Sequence, residues 1–261
     1  AKALTRVGYD THYYYGGDIN FTKKRSYLIN SGFDRFTWEK DFSLKEQKTA
    51  RWGVCDSIVF DRILAEIKTW APDSKKPHLI GYNTLSSHEP WDVPIQVLDD
   101  CVENAFHYLD RCINHFITEL RKTPQWDNTL VIFIPDHGVG HYGLDESSEL
   151  KIHIPILWMG GAVRQPRVVD AVCNQSDQIA TLLGQMGVPH GEFVFSRDVL
   201  SQTYTKPFAY HTFNNGFSLV DSTRFVVYDL TSERVVTGDA PDLVERGKAI
   251  LQRSSEDLSR R

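Results

Sequence analysis

The chain has 261 residues, 41% of them hydrophobic and 24% charged, with a formal net charge of −5. That composition suits a globular protein of one large domain or two small ones, and with no basic block it argues against nucleic acid as a main partner. No run approaches the ~18 apolar residues of a membrane span. The chain opens on Ala1-Lys2-Ala3-Leu4, with neither a Met nor a signal peptide, as expected of a piece of a longer protein. The four cysteines, Cys55, Cys101, Cys112 and Cys173, form no Cys-x-x-Cys pair, which excludes a zinc ribbon or thioredoxin-type motif. Cys101 and Cys112 share one predicted helix, roughly 16 Å apart along it, too far for a disulfide. Both fall on its apolar face and are expected in the core.

In chain order, Tyr9–Tyr15 is aromatic and β-prone and runs into Gly16-Gly17, a strand followed by a loop. Asn20 can cap a helix through Ile29, stopped near Gly32, and Asp56 can cap the next, to about Trp70. His78–Tyr82 is a short buried strand, followed by the polar segment Thr84–Trp91. The clearest helix covers 95–122, where apolar residues from Leu98 to Leu120 recur at steps of three and four. It leads to Leu130–Ile134, five apolar residues in a row, the pattern of a strand buried on both faces. A Gly-rich polar loop, a strand at His153–Met159 closed by Gly160-Gly161, and a helix at Ser176–Met186 come next. Beyond Phe193, the short runs Phe208–Phe213, Phe217–Val220 and Arg224–Asp229 predict antiparallel hairpins. An amphipathic helix at Pro241–Gln252 and a polar tail at Ser254–Arg261 close the chain.

Strand–helix alternation up to about residue 190 predicts an α/β fold. The expected form is a three-layer α/β/α arrangement with a largely parallel central sheet, plus a small C-terminal antiparallel sheet and terminal helix. The expected division is an N-terminally incomplete core over residues 1–200 and a small subdomain over 201–261 packed on it.

At the end of Leu130–Ile134 stand Asp136, a hard oxygen ligand, and His137, an imidazole, with Gly138 to let the chain turn sharply. Ligands bind beyond the carboxyl ends of strands in an open parallel sheet, where such a pair is half a metal site. The alternative is a capping Asp and a hydrogen-bonded His. Two more loops follow predicted strands, Tyr15-Gly16-Gly17-Asp18 and Ser86-Ser87-His88-Glu89. If the strands are parallel, all three meet at one sheet edge. There His88 would donate to an anionic substrate oxygen or a leaving group; its alternative is an exposed loop histidine. His141 reads as a solvated loop residue. His153 either faces the site or pairs with backbone. Lys23 and Lys24 begin a helix face, solvated or meeting an anion, and Asp177 is expected to cap its helix.

Five segments fall in a telling order: Gly8-Tyr9-Asp10-Thr11 with Tyr15-Gly16-Gly17, Thr84–Trp91, Thr129–Gly138, Lys151–Pro155 and Ser176–Leu183. Together they resemble the sulfatase/alkaline-phosphatase clan over most of residues 5–200. The resemblance is to its lipoteichoic acid synthase-like branch of phosphoglycerol and phosphoethanolamine transferases. It implies that Asp136 and His137 bind a divalent metal, manganese first, with zinc, magnesium or calcium as alternatives. It implies that His88 contacts the phosphoryl or sulfuryl group and that the Tyr15–Lys24 region lines the headgroup pocket. Tyr15, Asp18, Lys24, His141 and His153 are the resulting substrate-binding candidates. The branch places a His where Tyr15 falls and a Trp and Arg near Thr22–Lys24, so headgroup contacts do not carry over directly.

In that family the nucleophile, usually Thr, and an acidic metal ligand precede the Gly-Tyr-x-Thr motif, and both are expected to lie before Ala1. No Cys or Ser here begins the Cys/Ser-x-Pro-x-Arg motif of sulfatases. The resulting expectation is the carboxyl-terminal part of an extracytoplasmic, metal-dependent phosphotransferase or hydrolase, periplasmic or at the cell surface. It would act on a phosphodiester of a membrane lipid headgroup, or on a glycan ester. In full length it would be anchored in the inner membrane through upstream helices, while the 261-residue chain alone would be inactive. The alternatives are a sulfuric ester hydrolase of the same clan and a non-catalytic domain that binds a glycan or a partner protein.

Overall fold

The computed structural model describes residues 1–145 and 147–260. The chain divides into two compact units, Ala1–Val131 with Met159–Arg164, and Ile132–Trp158 with Gln165–Arg261.

The first unit contains α1 (Lys2–Arg6), β1 (Asp10–Tyr15), α2 (Lys24–Asn30), β2 (Arg35–Trp38), α3 (Asp56–Thr69), β3 (His78–Asn83) and α4 (Cys101–Leu120). The strands form a parallel sheet in the order β2-β1-β3. Tyr15 lies opposite Trp38 on one side and Asn83 on the other, so the three carboxyl ends are level. Both faces of β1 are covered, as a parallel sheet requires. Tyr13 and Tyr15 pack with Ile19, Leu28 and Leu85. On the other face, His12 and Tyr14 meet α3 through Glu66. His12 Nδ1 is 2.8 Å from the Glu66 carboxylate and its Nε2 is 2.9 Å from the Thr37 hydroxyl, while the Tyr14 hydroxyl donates to Glu66. Arg35 donates to the other Glu66 oxygen at 2.8 Å, so these enclosed polar groups are satisfied.

Three expectations change here. The helix from Asn20 is broken: a 3₁₀ turn at Phe21–Lys23 precedes α2, and Thr22 and Lys23 adopt positive φ of 52° and 60°. The long helix starts at Cys101, not near residue 95. Asp100 caps it by accepting from the N–H groups of Val102 and Glu103. The Asn104 side chain holds residues 95–98 in a loop by accepting from Val97 and Leu98 and donating to Ile95. Cys101 is therefore exposed, and only Cys112 of that pair is in the core.

The remaining elements are β4 (Val131–Phe133), α5 (Glu149–Ile152), β5 (Leu157–Met159), α6 (Asp177–Gln185), β6 (Phe208–Phe213), β7 (Gly216–Asp221), β8 (Phe225–Asp229), β9 (Arg234–Thr237) and α7 (Pro241–Ser259). β4 and β5 pair in a two-stranded sheet of their own. β4 is shorter than the apolar run, and its residues are half-buried. The strand expected from His153 begins only at Leu157, because Pro155 cannot donate to a ladder, and residues 149–152 form a helical turn instead.

β6 to β9 form an antiparallel meander, with β9 and the last turns of α7 beyond the sequence expectation. Phe217, Leu219, Val226 and Tyr228 pack against Leu243 and Val244 of α7. The fold is thus α/β, with a parallel sheet, a small C-terminal antiparallel sheet and a terminal helix, as the alternation predicts. Among the described residues, no helix is long and apolar enough to cross a membrane.

Candidate functional site

In the first unit, the loops after β1 and β3 leave the same edge of one sheet, as ligand-binding loops of α/β sheets do. Gly16 and Gly53 bring a third segment to that edge. A Cβ on Gly16 would lie 2.4 Å from the Val54 carbonyl oxygen, and one on Gly53 2.3 Å from the Gly16 carbonyl oxygen. Gly53 also has φ +129°, a conformation that suits only glycine. The Val54 N–H then donates to Gly16 at 2.9 Å, which sets Trp52 beside the end of β1.

Tyr15, Asp18, Phe21, Glu39, Arg51 and Trp52 line a hollow of about 250 Å³. The Tyr15 phenol is pushed up by burial and then by the Asp18 charge. The Lys24 ammonium lies 3.7 Å from the centre of the Tyr15 ring, a cation–π contact. Asp18 accepts from both the backbone and side-chain N–H of Asn20 at 2.9 Å.

His88 is exposed, and its ring meets Trp52 edge-on at 5.5 Å. Its Nδ1 donates to the Glu89 carbonyl at 2.8 Å, and the Trp52 indole donates to the same oxygen. With Nδ1 protonated, Nε2 is left as an acceptor, or as a donor when the ring is cationic. The loop that carries His88 is pinned by Asp56, a fully buried carboxylate. It accepts from the N–H groups of Leu85 and Ser86 at 3.0 and 2.8 Å and from the Tyr82 hydroxyl. Asp56 opens α3, and its side chain goes to this loop rather than capping its own helix, where Cys55 occupies the cap position.

The second unit holds Asp136 and His137 just past β4. Their side chains are 79% and 73% exposed, with Asp136 Oδ2 and His137 Nε2 3.7 Å apart. His137 Nδ1 donates to the Gly138 carbonyl at 2.9 Å. That bond fixes the tautomer and leaves the Nε2 lone pair for a metal. Two donors on a tetrahedral ion stand ~3.4 Å apart at ordinary bond lengths, so the pair is near the bite a divalent cation needs. Its oxygen and imidazole donors suit manganese or zinc.

Gly138 serves the backbone differently than expected. A Cβ there would fall 1.7 Å from the Lys151 carbonyl oxygen, so it permits close passage rather than a turn of special φ. Gln175 braces the pair from behind, donating to the carbonyls of Pro135 and Asp136 at 2.6 and 3.0 Å. Its neighbour Asn174 is tied to the Tyr210 backbone through both side-chain atoms.

Of the other candidates, His141 is half-buried and opens a 3₁₀ turn, and His153 is exposed at the end of α5. Asp177, expected to cap α6, does not: Ser176 occupies the cap position, and the fully buried Asp177 carboxylate accepts from Arg197 and from the Asn174 N–H instead. Among the described residues, no group of three or more His, Cys, Asp and Glu side chains could hold a metal. The structure therefore brings Tyr15, Asp18 and Lys24 together, sets His88 against Trp52, and keeps Asp136 with His137. Trp52, Arg51 and Glu39 escaped the sequence analysis, which read Asp56 as a helix cap and not as the anchor of the His88 loop. The aromatic-glycine step Trp52-Gly53, in an otherwise polar stretch, was the one signal available.

The sulfatase family's sequence profile matches residues 1–188. A lipoteichoic acid synthase-like protein of Bacillus subtilis, YvgJ, is 22% identical over 99% of this chain and 45% of its own length. Phosphoglycerol transferase I of Xanthomonas campestris pv. campestris is 24% identical over 76% of this chain and 30% of its own. The chain thus spans less than half the length of these curated relatives. A crystal structure of an alkaline phosphatase superfamily protein from Vibrio parahaemolyticus superposes with a TM-score of 0.81 at 25% identity, covering 98% of this chain and 67% of that one. Sequence and fold agree, and the chain belongs to the sulfatase family.

Proposed function

We propose that this chain belongs to a metal-dependent phosphotransferase or hydrolase that acts on phosphodiesters of the lipid-headgroup type, outside the cytoplasm. In this reading the whole protein is tethered to the membrane. The observation that carries the reading is the Asp136–His137 pair, with the Nε2 lone pair left free and a carboxylate oxygen 3.7 Å away. The names of the relatives, a lipoteichoic acid synthase-like protein and a phosphoglycerol transferase, support the phosphodiester class.

Asp136 and His137 would hold the divalent ion, which supplies charge neutralisation for a phosphoryl group and a lowered pKa for a hydroxyl nucleophile. The other roles fall to the protein. In the first unit, His88 is the group that would bind an anionic ester oxygen through protonated Nε2 or pass a proton to an alkoxide. The hollow lined by Tyr15, Phe21 and Trp52 takes the headgroup, with Arg51 offering a charge to the phosphate and Lys24 holding the Tyr15 ring in place. In the net reaction the P–O bond to the headgroup breaks, an acceptor hydroxyl or water forms the new one, and its proton goes to the leaving oxygen.

The test pairs binding with turnover. A phosphodiester headgroup analogue should shift the Trp52 indole resonance, and a sulfate monoester of similar size should not; the reverse order would favour the sulfuric ester hydrolase. With manganese present, the 261-residue chain should leave bis-p-nitrophenyl phosphate at its background rate. Robust turnover would contradict the assignment of the nucleophile to a segment other than this one.

A further inference from the structure

We propose that the second unit carries a phosphate-binding cavity separate from the Asp136–His137 pair, built where the loop after α6, the start of β6 and one face of α7 meet. The cavity measures about 530 Å³, and its walls include Arg197, Lys206 and Arg246 together with the hydroxyls of Ser201, Thr203 and Thr205. Two of the three cations are uncommitted. Arg197 is neutralised by the buried Asp177 carboxylate, with Nη2 2.5 Å from Oδ2 and Nε 3.2 Å from Oδ1. Among the described residues, no carboxylate lies within ion-pair distance of Lys206 or Arg246. The one acidic side chain in the wall, Asp198, offsets only one of those two cations, so the cavity keeps a net positive charge.

Arg246 is also pre-positioned. Its guanidinium lies 3.8 Å from the centre of the Phe208 ring, and that of Arg197 lies 3.7 Å from the same centre. A guanidinium held over an aromatic ring has less side-chain freedom left to lose when its N–H fork meets phosphate oxygens. Lys206 is exposed and adds a mobile point charge. The three hydroxyls supply neutral donors, with Ser201 Oγ and Thr203 Oγ1 already 2.9 Å apart. Residues 186–207, which form most of the wall, contain no helix or strand. An ordered loop of that length inside a compact unit is uncommon unless it serves a function. The chemistry points to the phosphate group of an ester, with the hydroxyls left to its polar remainder.

Titrating the isotope-labelled 261-residue chain with inorganic phosphate tests this. The amide resonances of Thr203, Thr205 and Lys206 should shift and saturate. Lys206→Gln, at an exposed position with no packing role, should weaken binding a few-fold. Lys206→Gln with Arg246→Gln should weaken it on the order of tenfold. His88→Ala and Asp136→Asn should leave these shifts intact. Unmoved amides at tens of millimolar phosphate, or a double variant that binds as well as the parent, would overturn the proposal. Loss of the shifts in Asp136→Asn would do the same, since phosphate would then be seated at the metal pair.

Discussion

The buried carboxylate of Asp56 accepts the backbone N–H of Ser86 at 2.8 Å, across 30 positions of sequence. This bond, with those from Leu85 and Tyr82, fixes the turn that ends in His88. Asp56→Ala leaves three enclosed donors without an acceptor, at roughly 1–3 kcal/mol for a group so stranded. Urea unfolding should show a loss of about 3 kcal/mol, and the His88 imidazole resonances should broaden or move. Asp56→Asn, which keeps one acceptor oxygen, should recover part of the stability. A variant as stable as the parent would mean that the loop is held by other contacts.

Glu66 links stability to acid. Burial raises its pKa, but hydrogen bonds from His12, Tyr14 and Arg35 outweigh that and hold it at about 2, below the ~4.3 of a free glutamate. The folded state therefore favours the ionised form. The stability this confers is complete above the unfolded pKa and is lost as pH falls from ~4.3 towards the folded value, on the order of 3 kcal/mol in all. Unfolding free energy measured across that window should fall steeply for the parent chain. In Glu66→Gln it should start lower at neutral pH and fall less.

Gly247 sits in α7 against Phe217, and a Cβ there would lie 2.0 Å from the ring. Phe217 is fully buried and has no room to yield. Alanine gains up to ~1 kcal/mol in helix propensity, but overpacking costs roughly 1–3 kcal/mol. Gly247→Ala should lower the melting temperature despite the better helix former. A rise would show that α7 can shift on the sheet.

What the sequence made legible follows from how local each cause is. β1 and β3 could be read because their apolar and aromatic runs end in glycine or polar residues. The meander could be read because turn residues separate its strands. Asp136-His137 could be read because both donors are adjacent and follow an apolar run. The Arg35–Trp38 strand was not legible: four residues of mixed polarity become a strand only by pairing with β1. The start of α4 was misplaced because the apolar period continues upstream, and only the Asn104 side chain shows why residues 95–98 leave the helix. Trp52 and the anchoring role of Asp56 were missed for a related reason. Their roles depend on partners brought in from another part of the chain, Ser86 for Asp56 and His88 for Trp52, and no spacing rule encodes that.

The central claim is that Asp136 and His137 bind one divalent cation together. The most direct measurement is zinc titration of the 261-residue chain with the His137 imidazole resonances as the reporter, followed by metal analysis after dialysis. With two protein donors, binding should be weak, one ion per chain and centred on His137 Nε2, and Asp136→Ala should abolish it. An ion retained at full stoichiometry in Asp136→Ala, or a His137 ring indifferent to zinc, would contradict the account.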